Sequence, residues 1–442
     1  MSLVVDAMEK TRMVCQLNAD SRRPRAIRGS GPFVDSTTMS SDRGGAATHV
    51  AYLDHAATTP MHPLAIEALT AELGRVGNPS SVHDAGRAAR RVVEESRELC
   101  AARLGARPTE VVFTGGGTEA DNLAVKGLFW ARSAADPRRR RALVSAVEHP
   151  AVLDSAGWLA DRQGAEAVLL GVDGVGRLDL EALAADLDAN GDEVALVSVM
   201  WANNEVGTVQ PLAEVVALAH RYGIPVHADA VQAVGQLGVD FAAAGLDAMT
   251  VTGHKLGGPV GVGALLMRRD LAVTPVLHGG GQERGVRSGT LPVPLIRSFA
   301  VAVDAAVTGR PEHAARVGGL RDALVAGVLA AVPDAVVRGP WPDDGARLPG
   351  NAHFTFPGCD GDALLYLLDS NGVQCSTGSA CGAGVTQVSH VLLAMGVPEA
   401  DAGGALRFTF GRTSSQADVD AVLRVLPDVV QRARAAGLSG AS

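Results

Sequence analysis

The sequence predicts an α/β protein. It has a large domain, built on a mainly parallel sheet covered by helices, and a smaller α+β domain. Two observations carry this. Strand-like apolar runs alternate with helical patterns from residue 111 to about residue 330. The polar clusters of that stretch fall just past the carboxyl ends of the runs, where open parallel sheets gather their ligands. Composition agrees: 442 residues, 47% apolar and 20% charged, supply core for two or three domains.

The same composition narrows the function classes. A net charge of −9 speaks against nonspecific binding to nucleic acid or acidic membrane. No apolar run reaches the roughly 18 residues a spanning helix needs. The five cysteines, Cys15, Cys100, Cys359, Cys375 and Cys381, suggest no disulfide framework and contain no CxxC pair. A cytoplasmic protein without a metal centre is the expectation.

Residues 1–48 read as a disordered extension, rich in turn formers and arginine and poor in apolar residues. Asp6, Glu9 and Lys10 interrupt any secretory core, which leaves an Arg-rich presequence or a translation start at Met39. Residues 52–60 form a short strand and a small-residue turn, before a helix starting near His62. A polar loop over 77–83 follows, with Asp84 placed to cap the next helix.

Residues 111–123 read as strand, glycine turn and helix. Gly115, Gly116 and Gly117 clear side chains from the free N–H groups of a helix start, which attract an anion. Thr118 adds a hydroxyl there. The pattern is neither GxGxxG nor GxxxxGK[ST], so dinucleotide and P-loop readings lose ground. The four arginines from Arg138 to Arg141 read as a solvated loop. Residues 142–147 form a buried strand that Glu148, His149 and Pro150 end. His149 there faces either a site or a loop interior. Residues 194–200 form a strand running into a polar stretch with Asn204. A helix over 212–222 leads to a strand over 224–229 ending in Asp229. Gln232, three residues on, is placed to touch the same ligand.

Lys255 is one of only three lysines, with Lys10 and Lys126, and the only one in a special context. It follows a strand-like run over 249–251 and precedes a glycine-rich turn. A primary amine there can form a Schiff base with an aldehyde cofactor, if its ammonium form is destabilised. A solvated lysine at a strand end is the other reading. Thr252, Gly253 and His254, just before it, could donate to the phosphate that Gly117 and Thr118 face from their loop.

A glycine-rich loop over 279–290 ends at Thr290, and two helical patterns follow, near 293–307 and 314–331. The loop 374–384 carries two thiols among small residues. Cys375 reads as packed. Cys381, between Ala380 and Gly382, reads equally as reactive or structural. Arg407 lies mid-strand and needs an anion; a substrate carboxylate is one candidate.

Taken together, YLDHAATTP, FTGGGTEADNLAVKG, EHPAVLDS, WANNEVGTVQP, HADAVQAVGQ, GHKLGGP, GGGQERGVRSGT and STGSAC resemble the cysteine desulfurases. These are pyridoxal 5'-phosphate enzymes of the class-V aminotransferase fold. The likeness spans about residues 52–426, and the STGSAC loop is similar to that of the housekeeping and nitrogen-fixation group. The resemblance implies a pyridoxal-phosphate transferase fold divided into an extension (1–48), a large cofactor domain (60–310) and a small domain (49–59 and 311–442). It implies that Lys255 carries the cofactor and Asp229 partners its ring nitrogen. His149 stacks on the ring and handles protons, and Asn204 and Gln232 contact the ring oxygen or the substrate. Gly117, Thr118, Thr252 and His254 form the phosphate cup, with Gly253 between the last two. Thr290 reaches the phosphate of the other subunit, so a homodimer is expected. Arg407 takes the carboxylate of L-cysteine, and Cys381 takes its sulfur as a persulfide, leaving alanine. Iron–sulfur scaffolds and tRNA-thiolating proteins are the acceptors expected. Gly382 departs from the family's usual Ser or Thr, Thr252 stands for its phosphate serine, and residues 1–48 have no counterpart. Other enzymes of the fold, such as aminotransferases, kynureninase-like hydrolases and selenocysteine lyases, need no nucleophilic cysteine. A noncatalytic scaffold need not keep Lys255 or Asp229, and both are present.

Overall fold

The computed structural model describes residues 49–378 and 388–439. In chain order, the elements up to the first glycine turn are β1 (Ala51–Tyr52), α1 (Pro63–Leu73), α2 (Asp84–Leu104) and β2 (Val111–Thr114). Next come α3 (Gly117–Ala135), β3 (Arg141–Ser145), α4 (Pro150–Gln163), β4 (Glu166–Leu170), α5 (Leu180–Asn190) and β5 (Val194–Ser198). The series closes with α6 (Leu212–His220), β6 (Val226–Asp229), β7 (Ala248–Thr252), β8 (Gly263–Met267) and the long α7 (Val293–Ala331).

Strands β2 to β8 form one seven-stranded sheet in the order β2-β8-β7-β6-β5-β3-β4. All pairings are parallel except those of β8 with β7 and with β2. The strands β2, β5, β6, β7 and β8 are buried throughout, as apolar runs without alternation predict for a sheet covered on both faces. Alternation appears instead in which core each residue joins. In β3, Ala142 and Val144 pack with Val125, Leu128 and Leu159 of α3 and α4. Leu143 between them packs with Leu183, Val197 and Val215 on the other face.

The remaining elements are β9 (Val336–Arg338), β10 (Asn351–Thr355), α8 (Gly361–Ser370), β11 (Val373–Gln374), α9 (His390–Ala394), α10 (Glu399–Ala402), β12 (Ala405–Thr409) and α11 (Gln416–Ser439). A second core gathers most of them, while Val391 and Leu392 of α9 and Ala402 of α10 pack with Val147, Met200 and Val206. Strands β9, β10 and β12 pair antiparallel, and β1 pairs parallel with β11. Leu53, Phe354, Phe408 and Leu426 belong to this core.

Three local expectations are corrected. The cap of α2 is His83, whose ring accepts from the Gly86 N–H, and Asp84 is the first helical residue. The patterns near 293–307 and 314–331 are one helix, α7, running through Pro311. Proline's fixed φ suits a helix, and its missing N–H forfeits one bond. The cost is offset because α7 joins both cores, through Ile296, Phe299 and Val303 in one and Leu320, Leu324 and Val328 in the other. The four arginines are not all solvated. Arg141 opens β3 with its guanidinium paired to Glu166 and Asp186, and Arg139 donates to the Val194 carbonyl. Two carboxylates across the neighbouring elements make a folded position better than a hydrated one.

Candidate active site

The carboxyl ends of β2, β3, β5, β6 and β7 open into a cavity of about 400 Å³. Gly117, Thr118, His149, Asn204, Asp229, Gln232, Thr252, His254, Lys255 and Arg407 all line it. Ten side chains or backbones from six separate stretches of sequence therefore meet at one place.

One wall suits an anion. Helix α3 starts there behind Gly116, whose φ of +148° a side chain would disfavour. A Cβ on Gly117 would stand 3.1 Å from the Val231 side chain, so a larger residue there would have to push that side chain back. Thr118, Thr252 and His254 complete the wall. Burial, helped by the charge of Lys255, lowers the His254 pKa to about 4, so the ring is neutral at pH 7. Gly253 does not line the cavity. Its N–H donates to the Val262 carbonyl, and a Cβ would lie 2.6 Å from the Pro259 oxygen. Its value is close packing of the turn, which corrects the expectation that it donates to a phosphate.

The opposite wall is acidic. Asp229 is buried and accepts from the Val231 N–H at 2.8 Å. Burial pushes its carboxyl up to about 6, against the pull of that N–H and of Lys255. Two further buried carboxyls stand beside it, Asp121 and Glu148. Both are raised well above the ordinary range, first by burial and then by the charge of Asp229. Oδ1 of Asp121 and Oε2 of Glu148 have no hydrogen-bond partner. Burial and mutual repulsion thus favour the neutral forms of Asp121 and Glu148 and leave Asp229 the readiest of the three to ionise.

Lys255 reaches the cavity from the turn after β7. Its Nζ donates to the carbonyls of Ala56 (2.5 Å) and Ala57 (2.7 Å). Gln232 donates to the same Ala56 carbonyl at 3.0 Å. Burial, then the charge of Arg407, brings the Lys255 pKa down to about 8. A usable fraction of free amine therefore exists near neutral pH.

His149 caps α4: its Nδ1 accepts from the Ala151 N–H at 3.1 Å. That donor fixes the neutral tautomer with the proton on Nε2. Burial, then the charge of Lys255, lowers its pKa. Arg407 is buried and donates from Nη1 to the Asn204 carbonyl and from Nη2 to Asp54, each at 2.8 Å. Its Nε is buried without a partner.

Two further predicted site residues are not seen in the cavity, for different reasons. Thr290 is exposed and does not line the cavity of its own chain. Cys381 lies outside the described residues. The described residues on either side of it, Ser376 and Gly378 before and His390 after, do line the cavity. Cys375 is buried, and burial pushes its thiol far up. Sequence reasoning passed over Asp54, Asp121, Glu205 and His390. Asp121 had a usable signal: it stands four residues after Gly117, on the same helical face. Asp54 and Glu205 sit in irregular segments with no periodicity to read, and His390 opens a five-residue helix too short to show one.

Residues 51–422 match the family described as aminotransferase class-V. The chain belongs to the class-V aminotransferase family. Its relatives include an IscS-like cysteine desulfurase of Mycobacterium tuberculosis (strain ATCC 25618 / H37Rv), 59% identical over 392 residues that cover 89% of this chain and 99% of the relative. Among solved structures, a NifS-like protein is similar with a TM-score of 0.79 at 33% identity, over 87% of this chain and 100% of that one. A structure titled SspA in complex with cysteine has a TM-score of 0.69 at 31% identity, over 81% and 98%. Within the class-V aminotransferases the chain falls among the cysteine desulfurases, and the cofactor of this group is pyridoxal 5'-phosphate.

Proposed function

We propose that this protein is a cysteine desulfurase that converts L-cysteine to L-alanine and passes the sulfur on as a persulfide of Cys381. The observation that carries the reading is that the chain on both sides of Cys381 lines the cavity holding Lys255, Asp229 and Arg407. An aminotransferase needs the last three and has no use for a thiol there.

The residues present fit pyridoxal phosphate. The helix start with Thr118, Thr252 and His254 takes the phosphate, and the opening left by Gly117 admits it. Asp229, one buried carboxylate able to ionise beside two that stay protonated, takes the ring nitrogen and keeps it protonated. Lys255 supplies the amine, and Asn204 and Gln232 border the ring. When bound, the cofactor supplies an electron sink for the carbon that loses a proton.

The chain's own groups do the rest. Arg407 lines the cavity, held by the Asn204 carbonyl and Asp54, and offers the remaining N–H donors of its guanidinium to the substrate carboxylate. Lys255, whose pKa is brought down to about 8, would serve as the free base that takes the α-proton. His149 presents Nε2–H as a fixed donor, since its Nδ1 is held by the helix. Cys381, as thiolate, attacks the substrate sulfur. Its place in a loop of small residues lets the persulfide leave the cavity for an acceptor.

We further propose a homodimer in which Thr290 completes the partner's phosphate cup, a large cofactor domain over 60–310, and a small domain over 49–59 and 311–442. The setting is the cytoplasm, with an iron–sulfur scaffold or a tRNA-thiolating protein as acceptor. No helix among the described residues is long and apolar enough to cross a membrane. The test is direct: purified protein with L-cysteine and a thiol reductant should release alanine and sulfide in equal amounts. Transamination products without sulfide would overturn the reading. Light scattering at assay concentration tests the dimer, and a fully active monomer would exclude it.

A further inference from the structure

The Ala56 carbonyl that holds Lys255 and Gln232 belongs to a wall with a second cavity behind it. Ala56, Gln232 and Lys255 line both cavities. The second encloses about 210 Å³ between the turns after β1, β6 and β7, the middle of α7 and the end of β12. Glycines keep it open. Gly235 and Gly257 hold φ of +80° and +87° on its wall, where a side chain would be strained. A Cβ on Gly411 would collide with the His55 ring. That ring is fixed between the hydroxyls of Thr59 at 2.7 Å and Ser414 at 3.3 Å.

The lining has one sign of charge. Among the described residues no aspartate or glutamate borders this cavity, whereas His55, His62, His313, Lys255 and Arg412 do. His62, His313 and Arg412 hold donors with nothing to receive them. Nδ1 of His62 accepts the Leu64 N–H at 3.3 Å, so its neutral ring carries the proton on Nε2. That Nε2–H meets no acceptor among the described residues, and His313 makes no hydrogen bond among them. Arg412 has one 3.5 Å contact with the Met61 carbonyl and no carboxylate partner among the described residues. Arg316 fixes its loop by donating to the Gly411 and Arg412 carbonyls. Burial, then a neighbouring guanidinium, lowers the pKa of His62 and of His313, from Arg412 and Arg316 respectively. Burial, then His313, lowers His55 to about 4, and Asp418 pulls the other way. The site is thus short of negative charge. Val234, Ala305, Ala306, Leu348 and Phe410 add apolar surface.

We propose that this second cavity binds a short-chain carboxylate, whose charged end takes the donors of Arg412, His62 and His313 and whose tail lies against Val234 and Ala306. The match is one of missing groups: free donors without an acceptor, and apolar wall without a packed side chain. An amino acid fits less well, because no acid lines the cavity to receive its ammonium. The proposal goes beyond the desulfurase reading and stands without it. Lys255 links the two cavities. A carboxylate behind it favours the ammonium form of an amine whose pKa is about 8. Occupancy of the second cavity therefore works against the free amine in the first.

Butyrate is the probe, titrated calorimetrically into the purified holoenzyme at pH 7. It should bind saturably. Arg412→Gln, at an exposed position, should weaken that binding by about tenfold or more. Ala306→Leu fills the cavity with every donor still in place and should abolish it. Neither substitution touches the cavity that holds Arg407. Butylammonium should not bind, and inorganic phosphate, which cannot use the apolar wall, should bind more weakly than butyrate. No saturable binding up to about 10 mM overturns the proposal. So does wild-type affinity in either variant, which would place butyrate elsewhere, for example at Arg407. Butylammonium or phosphate binding as tightly as butyrate overturns the assignment to a carboxylate.

Discussion

Oδ1 of Asp54 lies 2.8 Å from Nη2 of Arg407, joining the turn after β1 to the middle of β12. The anion that a buried strand arginine requires is therefore present before any substrate arrives. The pair fixes how the guanidinium is oriented and leaves further N–H donors on its terminal nitrogens.

Asp54 should accordingly govern substrate affinity through Arg407. Asp54→Ala removes one of two restraints on the guanidinium and should raise the KM for L-cysteine by about tenfold, roughly 1.4 kcal/mol, with a smaller change in kcat. Asp54→Asn keeps an acceptor in place and should cost less. Steady-state kinetics decide this, and an unchanged KM in the Ala variant would remove Asp54 from the site.

Lys255 should carry the cofactor covalently. Borohydride treatment of the native protein should fix a cofactor-sized mass on the peptide containing Lys255. Lys255→Ala should lose that adduct and its visible band, unless free amine is added. An adduct persisting in the variant, located by peptide mass spectrometry, would move the role to another residue.

His353 should make the fold acid-sensitive. Its ring is fully buried, and neither nitrogen has a hydrogen-bond partner. Burial, then the charges of Arg347, Arg407 and Arg338, lowers its pKa to about 3. In the unfolded chain the ring titrates near ~6.5. Between these values the unfolded chain holds the extra proton. Titration of His353 therefore adds no pH dependence above about 6.5 and destabilises the fold by about 1.4 kcal/mol per pH unit as pH falls below that. His353→Phe should flatten this dependence, so that its melting temperature gains on wild type between pH 7 and pH 5. Parallel melting curves with a constant offset would show that the ring does not titrate on unfolding.

The sheet was legible because buried parallel strands are continuous apolar runs, and because each one ends in a polar cluster. Lys255, Asp229, Gln232 and the Gly117 turn all follow from that rule. Other features depend on contacts between residues distant in sequence. The partner of Arg407 is 353 residues away, and the carbonyl that orients His390 is 242 residues away. Nothing local marks either. The continuity of α7 was hidden for the opposite reason. Pro311 is a strong local signal for a break, and it is overridden by packing of both halves against separate cores.

Cys381 should be the persulfide carrier, and Cys375 should not, although the two are six residues apart in one loop. Cys375 follows β11 and is buried in the second core with Val373 and Phe408. Burial, then the charge of Asp54, pushes its thiol far above the ordinary range, while Arg407 opposes this only in part. A thiol so placed holds almost no thiolate at neutral pH, and the thiolate is the nucleophile. Cys381 lies between Ser376 and Gly378 on one side and His390 on the other, all of which line the cavity. Cys381→Ser should therefore bind cofactor and cysteine and show the early absorbance change, yet hold no persulfide and release almost no sulfide. Cys375→Ser places a hydroxyl in an apolar setting and should cost about 1–3 kcal/mol of stability. Its turnover should fall by no more than a few-fold. Sulfide release and persulfide mapping on both variants decide between the thiols. Abolished turnover in Cys375→Ser with turnover retained in Cys381→Ser would reverse the assignment.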